Sequence, residues 1–324
     1  MAAAAPQPPP APPRAAEGGG FFAFLKDGVV VATRNSSLFL PLAALHAARS
    51  TAYFATKTLA FRSFAAAVDL DAYYEDGAVD GTLFFGLLIK FLAGRWRLLL
   101  PAGVAYIAAH VTLGLAIDAA IAAAAVATSS RSGEGQNMTF ASFMGTKVKP
   151  GNLVGPMATA AFGGIVEWAS VGVGMLAMPG VFFGTDVAVL VCLLFQFIAF
   201  LFTFFYVGVV RDVAVVASVA EPGLRGAGAV GRARRLMRGG RRLAQAALYS
   251  LVAWALHKAV WRMHAAAVAR LPRSGLLGTA VPFSLDAVVV YLLVGALKVL
   301  CAATITAYYF DCRRTEGDKA GHRE

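Results

Sequence analysis

The chain contains six apolar runs, more than a folded soluble domain of this length can bury. Five of the six, such as residues 98–128 and 285–310, exceed the roughly 20 residues that cross a bilayer as a helix. Of the 324 residues 58% are hydrophobic and 15% are charged, whereas soluble domains carry about 25% charged residues. In lipid every backbone polar group must be satisfied within the protein, and a helix does this locally. The sequence therefore predicts an all-α fold, a polytopic transmembrane helical bundle with about six spans.

The positions of the apolar runs divide the chain. The candidate spans are residues 37–58, 98–128, 153–178, 187–210, 243–261 and 285–310. A shorter apolar piece at 83–94 contains Lys90 and is too short to span, so we expect it to lie in the interface or to extend the next span as a helix. Around the transmembrane helical domain, 21–312, the composition predicts a disordered Ala/Pro/Gly-rich tail at 1–20 and a short polar tail at 313–324. The first tail lacks the pattern of a signal peptide, so the first span is expected to direct insertion.

Residues 226–242, GAGAVGRARRLMRGGRR, are the most basic stretch and are called the arginine segment below. On a helical wheel Val230, Ala233, Leu236 and Met237 share one side, opposite the arginines. This pattern is typical of an amphipathic helix that lies in a membrane interface. The side chains predicted to contact anionic lipid headgroups are Arg232, Arg234, Arg235, Arg238, Arg241 and Arg242.

Two further observations concern the membrane surface. Residues 21–34 form a second amphipathic segment, with Phe24 and Leu25 on one side and Lys26 and Arg34 on the other. The net charge of +11 is carried beside apolar runs without interleaved aromatic residues, which favours anionic lipid over nucleic acid as the partner. No protein partner is indicated.

Four ionisable residues fall inside candidate spans: Arg49, Asp118, Glu167 and Lys298. At about 1.5 Å per residue they lie at similar depths, and a lone charge there is costly, so such residues usually face the bundle interior and pair. We expect Glu167 and Lys298 to form an internal ion pair, with Asp118 and Arg49 nearby. The pair can fix helix register or belong to an ion or proton path, and the sequence leaves both open.

The sequence contains no constellation of catalytic residues, and we expect no enzyme activity, cofactor or metal. Residues 226–231 match GxGxxG, but no strand–helix–strand unit surrounds them and no acidic residue follows at the required distance. His257 and His264 have no third ligand near them in the sequence and are predicted to be interfacial. Glu221 is interpreted as complementing the positive end of the following helix. Cys312 is predicted to be either a palmitoylated or an unmodified thiol.

Four segments carry a family resemblance: FFAFLKDGVVVATRNSSLFLPLAAL, MTFASFMGTKVKPGNLVGPMATA, VVRDVAVVASVAEPGLRGAGAVGRARRLMRGGRR and ITAYYFDCRR. They resemble a plant family of largely uncharacterised six-span membrane proteins. More distantly they are similar to the membrane domain attached to some bacterial glycerophosphoryl diester phosphodiesterases. The most specific part is a valine-rich run with Ser218 and Glu221, then a basic helix ending in Gly-Arg. The chain departs from this pattern where a serine commonly stands in the basic helix, and 83–97 looks inserted. The catalytic domain of the phosphodiesterases is absent, so the resemblance implies no hydrolase activity.

Function is thereby narrowed to two classes. The first is a non-catalytic scaffold, adaptor or membrane organiser, which the amphipathic segments favour. The alternative is a small-solute transporter or channel, which the charges within the spans favour. Lys and Arg concentrate in the segments that are cytoplasmic when both termini are cytoplasmic, which predicts that topology in an endomembrane or the plasma membrane.

Overall fold

In a computed structural model, the described part of the chain comprises residues 21–68, 81–130, 138–146, 148, 150–176, 187–221, 223–269 and 285–321. These residues form α-helices and turns without a strand, so the predicted all-α class is confirmed. The helices are α1 (Ala23–Arg34), α2 (Ser36–Val68), α3 (Gly81–Ser130), α4 (Phe140–Thr146), α5 (Pro150–Leu176), α6 (Val187–Ala220), α7 (Ala227–Leu236), α8 (Gly240–Ala269) and α9 (Leu285–Gly321).

Three helical segments in the described residues are long and apolar enough to cross a membrane: Pro101–Ser130, Gln196–Ala220 and Ala287–Glu316. The pair α1 and α2, bent by 92° at their junction, is a fourth if the two together count as one span. The chain is therefore a membrane protein. Helices α5 and α8, predicted as the third and fifth spans, are not among these segments, and the count of six spans stays a prediction.

Some predicted helix boundaries agree with the structure, and others differ from it. Residues 83–94 belong to α3, so of the two predicted alternatives the helical extension is confirmed. The connection between the second and third predicted spans contains the short helix α4. Helix α6 runs ten residues beyond the predicted end at 210, and α9 continues to Gly321 through most of the predicted polar tail. The predicted disordered tail, 1–20, lies outside the described residues.

The chain divides into two compact units. The first comprises Met1–Ala43, Leu115–Lys258 and Ala296–Glu324, and the second comprises Ala44–Gly114 and Ala259–Gly295. The larger core of the first unit joins α6, α7, α8 and α9. Its fully buried side chains include Val213, Leu236, Tyr308 and Tyr309, and Phe24 of α1 packs against them.

A second apolar cluster of the first unit joins the start of α2 to the end of α3. Leu38 and Leu42 pack with Ile121, and Phe143 of α4 is buried against the same cluster. Helix α1 lies so close to α9 that a Cβ at Gly28 would be 2.5 Å from the Thr304 Cα. Only glycine permits that approach, because the obstacle is backbone that cannot rotate away.

The second unit has an aromatic centre. The Phe54 ring stacks on Tyr291 at 5.4 Å between centroids and meets Trp261 edge-on at 5.4 Å. His264 lies 5.2 Å from the Phe54 ring, and Ala47 is buried in the same group. These contacts join α2, α8 and α9 within that unit.

Candidate functional site

The arginine segment is not one helix. Helix α7 ends at Leu236, and α8 begins at Gly240, so Arg238 lies in the turn between them. Gly239 adopts φ +124°, a backbone conformation outside the right-handed helix that glycine reaches at little cost. The prediction of a continuous helix through 242 is therefore wrong, because Gly239 adopts a non-helical conformation in the turn between α7 and α8.

The apolar side of α7 packs against protein. Ala233 and Leu236 are fully buried and Met237 is 3% exposed, all within the larger core of the first unit. The sequence predicted that these residues would enter a lipid interface. They share a core cluster with residues of α6, α8 and α9, so α7 is attached to the bundle by its apolar side.

One arginine of this segment belongs to an internal charged network at the end of the spans. Arg232 Nε lies 3.2 Å from Glu221 Oε1, and its Nη1 lies 2.7 Å from Glu316 Oε2. The Tyr309 hydroxyl donates to the same Glu221 oxygen at 2.6 Å. Burial lowers the pKa of the Arg232 guanidinium, but the two carboxylates raise it more, so the pKa lies above its ordinary value. Glu221 thus links α6 to α7 and α9, beyond the helix-end role predicted for it.

A second arginine also bonds within the protein. Arg242 donates to the Leu236 carbonyl oxygen and, at 3.1 Å, to that of Cys312. Arg232 and Arg242 therefore bond within the protein, and the headgroup contacts predicted for the six arginines stay a prediction. The Cys312 thiol is 1% exposed, an environment that favours the unmodified alternative. The arginines that remain exposed are Arg234, Arg235, Arg238 and Arg241, together called the arginine surface below.

The charges inside the spans pair, although not as predicted. Lys298 Nζ lies 3.3 Å from Asp118 Oδ2, and Glu167 pairs with Arg211. The predicted ion pair between Glu167 and Lys298 is wrong. Because α6 continues as a helix to Ala220, Arg211 lies nine residues before its end and reaches α5. Arg211 lies one residue beyond the predicted fourth span, 187–210, so no ion-pair partner inside the membrane was expected for it.

A glycine admits the Arg211 side chain. Gly163 is buried, and a Cβ placed on it would overlap Arg211 Cγ and lie 3.0 Å from Arg211 Cβ. The guanidinium then reaches Glu167 on the same helix as Gly163 and also contacts Asp212, with Nη2 3.0 Å from its Oδ1. The pair is shielded, since the Glu167 and Arg211 side chains are 17% and 28% exposed. Gly163 and Glu167 are four residues apart on α5, so the space beside the glycine lets Arg211 reach the Glu167 carboxylate.

These residues surround a small polar cavity in the first unit, called the charged cavity below. Its volume is about 70 Å³, which accommodates about two waters at roughly 30 Å³ each. Its charged lining residues are Asp118, Arg211, Asp212 and Lys298, with Tyr249 and Cys301 beside them. Asp118 Oδ1 is buried without a hydrogen-bond partner in the described protein. The arrangement can hold water or a small cation, or can serve only to fix the helices.

Arg49, the fourth predicted charge, belongs to the second unit. Its Nη2 lies 3.1 Å from His110 Nε2. Asp118, Glu167 and Lys298 belong to the first unit, where Asp118 pairs with Lys298 and Glu167 pairs with Arg211. Among the described residues no group of three or more His, Cys, Asp or Glu side chains is placed to hold a metal ion.

A family model described as a domain of unknown function, DUF8558, matches residues 85–320. The chain belongs to the DUF8558 family. No curated protein and no solved structure matches this DUF8558 chain. The matched residues include the charged cavity and the network around Glu221, but not α1 or α2. Both features therefore lie within the family region.

Some residues of these contacts were missed from the sequence although signals for them exist. The valine-rich run after Asp212 continues the apolar pattern of α6, which indicates that the helix does not stop at 210. Tyr309 and Glu316 are seven residues apart, so they share one face of α9 two turns apart. No sequence signal shows that this face meets Glu221 and Arg232, because that contact joins helices distant along the chain.

Proposed function

We propose that this DUF8558 protein is a non-catalytic membrane organiser or adaptor that gathers anionic lipid headgroups at the arginine surface. The observation that carries the proposal is the exposure of Arg234, Arg235, Arg238 and Arg241 on a segment that is anchored to the helical bundle. Two contacts anchor it: Leu236 is buried in the core, and Arg232 is paired with Glu221. Each Arg near an anionic surface contributes about 1 kcal/mol, an attraction that salt screens.

The proposal includes a topology. Both termini and the arginine surface are cytoplasmic, in an endomembrane or the plasma membrane, because the positive-inside rule favours that orientation and the cytoplasmic leaflet is anionic. The sequons at Asn35 and Asn137 are then expected to carry no glycan. A mobility shift that an endoglycosidase removes and Asn137→Gln abolishes would contradict this topology.

Spin-labelled lipids in proteoliposomes test the lipid selectivity of the full-length protein. We expect the motionally restricted population around the wild type to be richer in phosphatidylserine than in phosphatidylcholine, and 1 M salt to remove most of this preference. The triple variant Arg234→Gln, Arg235→Gln, Arg238→Gln should lose most of it too. Arg235→Gln is compared with Arg262→Gln, which also neutralises a single charge. Arg262 is exposed at the other end of α8 and so serves as the control. A preference that salt and the triple variant both leave unchanged would refute the proposal.

The charged cavity supports a second candidate, a small-solute transporter or channel. Charged residues within spans are common in ion and proton pathways, and four of them line this cavity. The discriminating measurement is ion or proton flux into proteoliposomes, with Asp118→Asn as the matched variant. Flux that the variant abolishes would favour this candidate, and wild-type vesicles as tight as protein-free ones would exclude those substrates.

The family relationships noted from the sequence are also proposals. The plant origin and the kinship with the phosphodiesterase-linked membrane domain are supported by the four quoted segments alone. The absence of enzyme activity is also proposed, because the sequence contains no catalytic constellation, and incubating the purified protein with glycerophosphodiesters would test for hydrolase activity directly.

A further inference from the structure

The second unit contains a cavity that the arginine surface and the charged cavity do not involve. Its volume is about 360 Å³. The residues that line it are Arg49, Ser50, Tyr53, Phe54 and Lys57 of α2, His110 of α3 and Trp261 of α8. Two of these side chains are permanently or normally cationic, and none of them is acidic. The lining is therefore positively charged on one side and aromatic on the other.

The cationic side follows one face of α2. Arg49, Tyr53 and Lys57 are spaced by four residues, which places them on the same face of the helix. The Tyr53 ring stacks on His110 with 4.7 Å between centroids, and the Arg49 guanidinium contacts the same imidazole at 3.1 Å. His110 accepts this bond through Nε2, since guanidinium nitrogens only donate. The imidazole thereby holds the guanidinium beside Tyr53 without neutralising its charge.

Arg49 retains a donor without a partner. Its Nε is buried and makes no hydrogen bond within the described residues. The guanidinium is confined, because α3 passes so near that a Cβ at Gly114 would collide with it. An arginine cannot lose its proton in a protein, and a buried donor left unsatisfied costs free energy. An anionic group in the cavity would compensate the charge of this guanidinium.

The aromatic side continues into an apolar space. A smaller cavity of about 60 Å³ is lined by Phe54, Trp261, His264 and Tyr291 among other residues. Phe54 and Trp261 line both cavities, so an apolar group beside them would lie next to an anion held at Arg49 and Lys57. A cation is disfavoured by the two positive side chains. A neutral polar ligand would leave their charges uncompensated.

We infer that this cavity of the second unit binds the phosphate group of an anionic amphiphile. Arg49 and Lys57 contact the phosphate, His110 positions Arg49, and Phe54 and Trp261 contact the apolar part of the ligand. Arginine suits this task because its planar group donates two parallel bonds to a phosphate. The site is separate from the arginine surface and does not rest on the function proposed for it.

Trp261 provides a reporter for the test. The full-length protein is prepared in proteoliposomes with Trp261 as its single tryptophan. The three replaced by phenylalanine are Trp96, Trp168 and Trp254. Phosphatidic acid with brominated acyl chains is titrated into the vesicles and Trp261 quenching is followed, with brominated phosphatidylcholine as the net-neutral comparison. We expect phosphatidic acid to quench saturably at a mole fraction at least tenfold lower than phosphatidylcholine.

The variants separate the site from a general charge effect. Arg49→Gln and Lys57→Gln are each expected to weaken phosphatidic acid binding about tenfold or more, and Arg49→Lys should restore part of the loss. Arg34→Gln, an exposed arginine at the end of α1, removes the same charge elsewhere and should have no effect. Lys57 is exposed, so its variant decides the question if Arg49→Gln does not accumulate.

The outcomes distinguish the source of the phosphate. If inorganic phosphate at millimolar concentration displaces the brominated lipid, the cavity is a phosphate site, and its ligand is a soluble phosphate compound. Resistance to inorganic phosphate assigns it to lipid. Equal quenching by the two lipids, or quenching that neither Arg49→Gln nor Lys57→Gln changes, overturns the inference. The triple variant of the arginine surface should leave Trp261 quenching unchanged, so the two proposals can fail separately.

Discussion

Replacing Gly163 with alanine tests whether the ion pair between α5 and α6 depends on a missing side chain. The new Cβ would overlap Arg211 Cγ and lie 3.0 Å from Arg211 Cβ, so either the Arg211 side chain leaves its rotamer or the two helices move apart. Overpacking of this kind costs about 1–3 kcal/mol. Displacing the guanidinium from Glu167 removes a charged hydrogen bond, a further loss of about 1.5–3 kcal/mol. The helix propensity of alanine over glycine offsets about 1 kcal/mol.

The net expectation for Gly163→Ala is a loss of about 1.5–5 kcal/mol in the free energy of unfolding. The adjacent Gly164 is the matched control, because a Cβ placed there meets nothing within 4 Å. Gly164→Ala should therefore be neutral or stabilising by up to about 1 kcal/mol. Both variants change the same atoms on the same helix, so the difference between them reports the local packing.

The assay is thermal unfolding of both variants in identical nanodiscs, followed by tryptophan fluorescence. A change of 1 kcal/mol shifts the midpoint by roughly 2–4 °C in proteins of 150–250 residues, so a difference of several degrees is expected. In a background of Arg211→Ala the difference between the two alanine variants should shrink, since the obstructing side chain is gone. If Gly163→Ala melts at or above Gly164→Ala in the wild-type background, the argument for the Gly163–Arg211 contact is refuted.

Three further predictions use the same unfolding assay. Gly28→Ala should lower the midpoint by several degrees, because its Cβ meets the backbone of α9, whereas Gly231→Ala, with open space around it, should not. Asp118→Asn and Lys298→Met should each destabilise by about 2 kcal/mol, and the double variant by less than the sum, because removing both charges leaves none unpaired; additive losses would contradict the pair. Tyr309→Phe should cost about 1.5–3 kcal/mol, since it removes a hydroxyl that donates to a carboxylate at 2.6 Å; an unchanged midpoint would show that this bond adds nothing.

The sequence alone determined the class of the fold. Backbone groups in lipid can be satisfied locally only by helices, so runs such as 98–128 and 285–310 leave little choice of secondary structure. The helical extension at 83–94 also follows from the sequence, since apolar periodicity and length are local properties. The existence of charges inside the spans was equally plain.

The choice of partners for those charges was decided by the tertiary structure. Depth along a helix follows from residue number, but the direction in which a side chain points depends on how each helix is rotated and where it ends. Glu167 and Lys298 lie at similar depths, yet they pair with Arg211 and Asp118 because α6 continues to Ala220 and a glycine on α5 admits Arg211. The partners of these charges therefore depend on a helix that continues ten residues beyond its predicted end.

The environment of α7 was likewise beyond the sequence. A wheel shows that Ala233 and Leu236 share an apolar side, but lipid and protein both accept apolar side chains, and periodicity does not distinguish them. The structure buries this side in a core cluster with residues of α6, α8 and α9, and α7 ends at Leu236, shortly before the positive φ of Gly239. The sequence thus determined that arginines would lie near apolar surface, and packing between distant helices decided which of them face outward.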